Sequence, residues 1–120
     1  MSAPAWTVAD IPDLSGVRAV VTGATSGLGY VTALELARRH AEVVLAVRDE
    51  DKAAATARAI RAAVPGGSVS IQPLDLASLA SVRTAAAQLQ SYGRIDVLVN
   101  NAGVMATPYR LTEDGFELQM

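Results

Sequence analysis

The chain has 120 residues and a mass of 12.4 kDa, enough for one modest core and for one domain or part of one. Ten basic against twelve acidic residues leave a net charge of −2, no electrostatic footprint for nucleic acid or an anionic membrane, and 51% hydrophobic against 18% charged residues argues against intrinsic disorder. The absence of cysteine excludes disulfides, thiolate catalysis and cysteine-ligated zinc together, and no apolar run approaches the ~20 residues of a membrane span.

Residues 1–16 read as an N-terminal arm, punctuated by Pro4, Pro12 and the turn Asp13-Leu14-Ser15-Gly16. Met1 to Trp6 lacks the basic-then-apolar profile of a signal peptide, so a soluble cytoplasmic protein is expected. Ala19-Val20-Val21 predicts a first strand. Its unbroken apolar character suits a strand covered on both faces, as in a parallel sheet. A glycine-rich turn from Gly23 to Gly29 follows, and then a helix to about His40 with Val31, Leu34 and Ala37 close to one face. Val43 to Val47 predicts a second buried strand, ended by Arg48-Asp49. In the next helix Ala53, Ala57, Ile60 and Val64 form one apolar stripe, stopped by Pro65-Gly66-Gly67. A third strand is expected over Val69 to Leu74, then Asp75-Leu76 and a helix capped by Ser78, with Leu79, Val82, Ala86 and Leu89 on one face. Tyr92-Gly93 closes it, and Val97-Leu98-Val99 is the fourth strand, running into Asn100-Asn101-Ala102-Gly103. Alternating apolar strands and amphipathic helices define an α/β fold, a parallel sheet with helices on both faces.

The stretch Thr22-Gly23-Ala24-Thr25-Ser26-Gly27-Leu28-Gly29 stands between a strand and a helix. There a first glycine permits the tight exit from the strand, a later one lets a pyrophosphate approach the backbone, and the last allows close helix–strand packing. The phosphate would lie at the helix N-terminus, where free N–H groups and the helix dipole favour negative charge. The alternative is a purely structural turn. The spacing G-x-x-x-G-x-G differs from the commoner G-x-G-x-x-G, and the missing G-K-[ST] ending excludes a P-loop.

Together with Asn100-Asn101-Ala102-Gly103 after the fourth strand, this turn resembles the short-chain dehydrogenase/reductase family over nearly all of the chain. Thr107 to Gln119, containing Asp114-Gly115-Phe116-Glu117, and the opening Trp6 to Pro12 are similar to the retinol dehydrogenase and protochlorophyllide reductase-like subset. The resemblance implies strand order 3-2-1-4, which makes strands 1 and 4 neighbours where the winding reverses, so both motif loops open into one crevice. It also implies a nicotinamide dinucleotide held by Gly23, Thr25, Ser26, Gly27, Leu28 and Gly29, and by Asn101, Ala102 and Gly103 along the adenosine ribose. Asp75 would accept from the adenine amino group while the Leu76 N–H meets the ring; a turn or capping aspartate is the alternative. Asn100 has a structural alternative, the stitching of neighbouring strands. At the end of strand 2, Val47 fills the position where NAD-preferring members carry Asp, and Arg48 follows; a guanidinium suits the 2′-phosphate of NADP, so NADP is expected over NAD. A solvated arginine at the start of the Asp49-Glu50-Asp51 helix is the competing reading, and Ser26 stands where NADP-preferring members often carry a second basic residue. His40 reads as a solvated helix cap, and Trp6 and the tyrosines as packing residues.

The family's chemistry uses a tyrosine as general acid or base, with a lysine four residues on to lower its pKa, and a serine on the substrate oxygen. Here Tyr30, Tyr92 and Tyr109 are followed at that distance by Leu34, Asp96 and Glu113, and the single lysine is Lys52. No catalytic residue is therefore assigned. Residues 17–120 read as the N-terminal part of a Rossmann domain, truncated before its catalytic half and inactive alone, with an alcohol or carbonyl substrate only in a full-length form. The alternative is a free-standing nucleotide-binding or protein-interaction module.

Overall fold

The computed structural model describes residues 7–25, 27–102 and 111–116. Ser26 and Gly103, two of the expected cofactor residues, lie outside the described residues, as do Trp6 and Tyr109. Four parallel strands form one sheet: β1 (Arg18–Thr22), β2 (Glu42–Val47), β3 (Ser68–Pro73) and β4 (Val97–Val99). They alternate with three helices: α1 (Gly27–Arg38), α2 (Glu50–Ala63) and α3 (Leu79–Gln90). The sheet order is β3-β2-β1-β4, as the resemblance implied. Each expected strand and helix is present, with ends shifted by a few residues at most.

The apolar strands are covered on both faces. Val21, Val43, Leu45 and Val47 share one core with Ala33 and Ala37 of α1 and Ala53, Ala57 and Ile60 of α2. Val20, Val44 and Ala46 point the other way, against Leu89, Tyr92 and Ile95. The α2 stripe packs as its spacing predicts.

Two predicted helix faces are corrected. In α1 the buried residues are Gly29, Ala33 and Ala37, with Leu34 partly buried, whereas Val31 is 48% exposed. In α3 only Ala85 is fully buried, Val82 and Leu89 are half-buried, and Leu79 and Ala86 are exposed. In α1 the cause is steric: small side chains let the helix axis approach the sheet closely, so the small-residue face lies inward and Val31 falls to its side; in α3 the face toward the sheet is centred on Ala85 and Leu89.

Beyond α1, His40 holds a positive φ of 75°, a left-handed position usually given to glycine, and the Ala41 N–H reaches back to the Leu36 carbonyl at 3.1 Å. The exposed His40 ring meets the Asp13 carboxylate at 2.8 Å, and Leu14 N–H donates to the Arg39 carbonyl. At the amino ends of the strands the Arg18 guanidinium donates to the carbonyls of Tyr92 and Arg94 and to Glu42, joining β1 to β2 and to the approach to β4. Among the described residues no helix is long and apolar enough to cross a membrane.

Candidate functional site

All four strands are parallel, so their carboxyl ends form one rim. The chain winds β1, β2, β3 outward in one direction and then returns to place β4 on the opposite side of β1. The switch point is therefore between β1 and β4, where ligands of open α/β sheets bind. The loops after β1 (Gly23–Thr25) and β4 (Asn100–Ala102) meet there, with Arg48 after β2 and Asp75-Leu76 after β3 further along the rim.

The contact between the two central loops is tight. A Cβ on Gly23, whose φ is +62°, would stand 2.8 Å from the Ala102 Cα. One on Gly29 would collide with the Gly23 carbonyl and the Asn101 side chain, so glycine is required at both positions. At Gly27 (φ +59°) an added Cβ would meet nothing within 4 Å. That open space lies at the first turn of α1, whose leading N–H groups have no intrahelical acceptor. A backbone cradle of this shape fits a pyrophosphate. Leu28 beside it is 79% exposed, and Thr25 is half-buried.

Thr22 organises this junction. Its buried hydroxyl accepts from the N–H groups of Asn101 and Ala102, both at 3.0 Å, and donates to the Val99 carbonyl at 3.3 Å. The Asn101 amide nitrogen donates to the Gly23 carbonyl at 3.1 Å. Stitching of β1 to β4 thus falls to Thr22 and Asn101; Asn100, which the sequence offered for that task, is exposed and makes no hydrogen bond among the described residues. The sequence signal for Thr22 was its place as the last residue of a buried strand, where a hydroxyl needs partners.

Along the rim, Arg48 is exposed and has no acidic partner among the described residues. The neighbouring Asp49 carboxylate is turned into α2, accepting from the N–H groups of Asp51 (3.0 Å) and Lys52 (3.1 Å). Asp75 is half-buried. One carboxylate oxygen accepts from Ala77 N–H at 2.9 Å, so the turn role is present, and the other has no partner among the described residues. Leu76 is 54% exposed. An open cleft of about 300 Å3 at the opposite end of the sheet, lined by Arg18, His40, Glu42, Arg94 and Asp96 among others, has its charges paired with one another or with backbone and is remote from this rim.

A parallel sheet with a glycine-lined switch point defines the dinucleotide-binding class of α/β protein. A family model described as short chain dehydrogenase matches residues 18–118. The chain belongs to that family. It is 46% identical over 121 residues to an uncharacterized oxidoreductase of Schizosaccharomyces pombe, with all of this chain and 36% of that protein covered. Against human retinol dehydrogenase 13 the identity is 49%, covering 88% of this chain and 32% of the relative. Among solved structures, an uncharacterized protein from Mycobacterium paratuberculosis superposes with a TM-score of 0.81 at 52% identity, over 95% of this chain and 40% of that one. A metagenomic short-chain oxidoreductase in complex with NADP gives 0.71 at 44% identity, over 77% and 41%. The chain spans about a third of the length of the curated relatives it matches.

Proposed function

We propose that these 120 residues are the dinucleotide-binding part of a short-chain dehydrogenase/reductase and that they prefer NADP(H) to NAD(H). The pyrophosphate rests on Gly23, Thr25, Ser26, Gly27, Leu28 and Gly29. Asp75 and Leu76 take the adenine, and Asn101, Ala102 and Gly103 line the adenosine ribose. Arg48 takes the 2′-phosphate. The observation that carries the preference is the pairing of Asp49: its carboxylate is engaged by the N-terminus of α2, which leaves the Arg48 guanidinium as the free charge at the end of β2. The related structure solved with NADP supports the same reading.

When bound, the nicotinamide supplies a hydride that a carbonyl carbon accepts, or accepts one from an alcohol, and the substrate oxygen gains or loses a proton in the same reaction. The residues here bind and orient the adenosine and pyrophosphate. None of Tyr30, Tyr92 and Tyr109 has a lysine four positions on, so we assign these residues binding and no turnover.

Titration of NADPH and NADH against the parent chain and Arg48→Ala tests the preference. The parent should bind NADPH more tightly, and loss of the charge-assisted contact, worth ~1.5–3 kcal/mol, should weaken NADPH by about tenfold or more while leaving NADH nearly unchanged. Equal affinities in the parent, or a preference unchanged in Arg48→Ala, would refute it.

A further inference from the structure

The helix α3 starts without an anion of its own. Its Ser78 cap accepts from Ser81 N–H at 3.2 Å, but its first turn holds no acidic residue. By contrast α2 opens with Asp49 as cap and Glu50 and Asp51 in its first turn. The missing charge comes from 35 residues downstream. Residues 111–116 form a tight turn in which Thr112 N–H donates to the Phe116 carbonyl, Gly115 N–H to the Thr112 carbonyl and Phe116 N–H to the Thr112 hydroxyl. From this turn the Asp114 carboxylate accepts the N–H of Leu79, the first residue of α3, at 2.6 Å. Among the described residues it is the one hydrogen bond from the turn to the rest of the fold. A carboxylate there satisfies an orphan helix donor and complements the positive end of the helix dipole.

What this contact braces is the loop after β3. Ser81 Oγ accepts from Asp75 N–H at 2.8 Å, Ser78 N–H donates to the Asp75 carbonyl at 3.1 Å, and Ala77 N–H donates to the Asp75 carboxylate. A run of hydrogen bonds therefore passes from Asp114 through the first turn of α3 to Asp75, the residue before Leu76. We propose that Asp114 is a positioning residue for the adenosine end of the dinucleotide site, coupling the 111–116 turn to occupancy of the Asp75-Leu76 loop. The inference rests on the adenine reading of Asp75 and Leu76 given above. It places a determinant of cofactor affinity on the segment after β4, beyond the loops that touch the dinucleotide. Ligand that orders the loop also orders the turn, and loss of the turn's contact weakens the ligand by the same factor.

The two halves of the cofactor separate this role from general stability. Adenosine 2′,5′-diphosphate and reduced nicotinamide mononucleotide are titrated against the 120-residue chain, Asp114→Ala, Asp114→Asn and Asp75→Ala, and amide hydrogen exchange is followed at Leu79 without ligand. Asp114→Ala should weaken the adenosine diphosphate about fivefold or more, leave the mononucleotide unchanged and speed exchange at Leu79. Asp114→Asn, whose amide oxygen still accepts, should recover part of the affinity. Unchanged adenosine diphosphate affinity in Asp114→Ala, an equal loss of both halves, or unaltered exchange at Leu79 would overturn the proposal. Insensitivity of Asp75→Ala, or a parent chain that does not bind the adenosine half, would instead overturn the adenine reading and this inference with it.

Discussion

Thr22 shows how much one hydroxyl can hold. Its oxygen is the acceptor for two consecutive backbone N–H groups, those of Asn101 and Ala102, in a place where it is itself buried. Thr22→Val keeps the volume and removes the acceptor, leaving both donors unpaired, and should destabilise the chain by ~1–3 kcal/mol. Thr22→Ser keeps the hydroxyl and should cost ~1 kcal/mol or less. Urea denaturation of the two variants measures the difference; a loss in Thr22→Ser as large as that in Thr22→Val would mean that the hydroxyl holds no more than the methyl group does. The motif glycines were legible in the sequence because their spacing states a backbone requirement, and Gly23 and Gly29 meet neighbours that admit no side chain. The partner of Asp49 was legible only in part. The helix start at Asp49 was visible, but whether its carboxylate faced the helix or Arg48 depended on a side-chain rotation that no spacing encodes. The link between Asp114 and Leu79 was not legible at all, because nothing local in either segment names the other.

The strands were read almost to the residue, since a short apolar run between turn signals has one plausible use in an alternating α/β chain. Helix faces were read less well. Periodicity finds the apolar side of a helix, but in α1 the small residues lie against the sheet and in α3 the inward face centres on Ala85 and Leu89, so Val31 and Leu79 fell on the wrong side of the reading. At the entrance to β4, Asp96 pairs the strand with β1: its carboxylate accepts from Arg18 N–H at 2.9 Å, and its own N–H donates to the Arg18 carbonyl. The Arg18 N–H first, and then the Arg94 guanidinium, hold the Asp96 carboxyl below its ordinary value of 3.8. A carboxylate whose pKa is depressed by folding stabilises the folded state above its unfolded value, and that contribution fades as pH falls toward the lowered one. The gap in melting temperature between the parent and Asp96→Asn should therefore be full above about pH 5 and narrow on acidification below pH 3.8. A gap independent of pH would show that the Asp96 charge contributes nothing at the strand entrance.

Across the whole sheet the two edges are unequal, and the inequality predicts how the chain behaves in solution. The β3 edge is guarded. Pro73 ends the strand and removes a donor, and the Arg61 guanidinium occupies the Val69 carbonyl at 2.7 Å. The β4 edge has no such protection. It pairs only with β1, through Ala19–Val97, Val20–Leu98 and Val21–Val99, and among the described residues no strand covers its other side. Val97 is 39% and Leu98 58% exposed, and no charge occurs from Val97 to Ala102. Leu98 lies beside the buried Val20, so apolar surface continues from the core out to the edge. Unpaired backbone groups next to exposed aliphatic side chains are a template for another strand, and burial of apolar surface there gains ~25 cal/mol per Å2. The 120-residue chain is therefore expected to self-associate through β4, with a sedimentation coefficient that rises with concentration. A charge on that surface opposes strand addition, so Leu98→Lys should shift the distribution toward monomer, whereas Ser68→Lys, at an exposed position of the guarded β3 strand, should leave the association unchanged. A parent chain that stays monomeric at every concentration, or an equal response to the two lysines, would show that the β4 edge is not the contact.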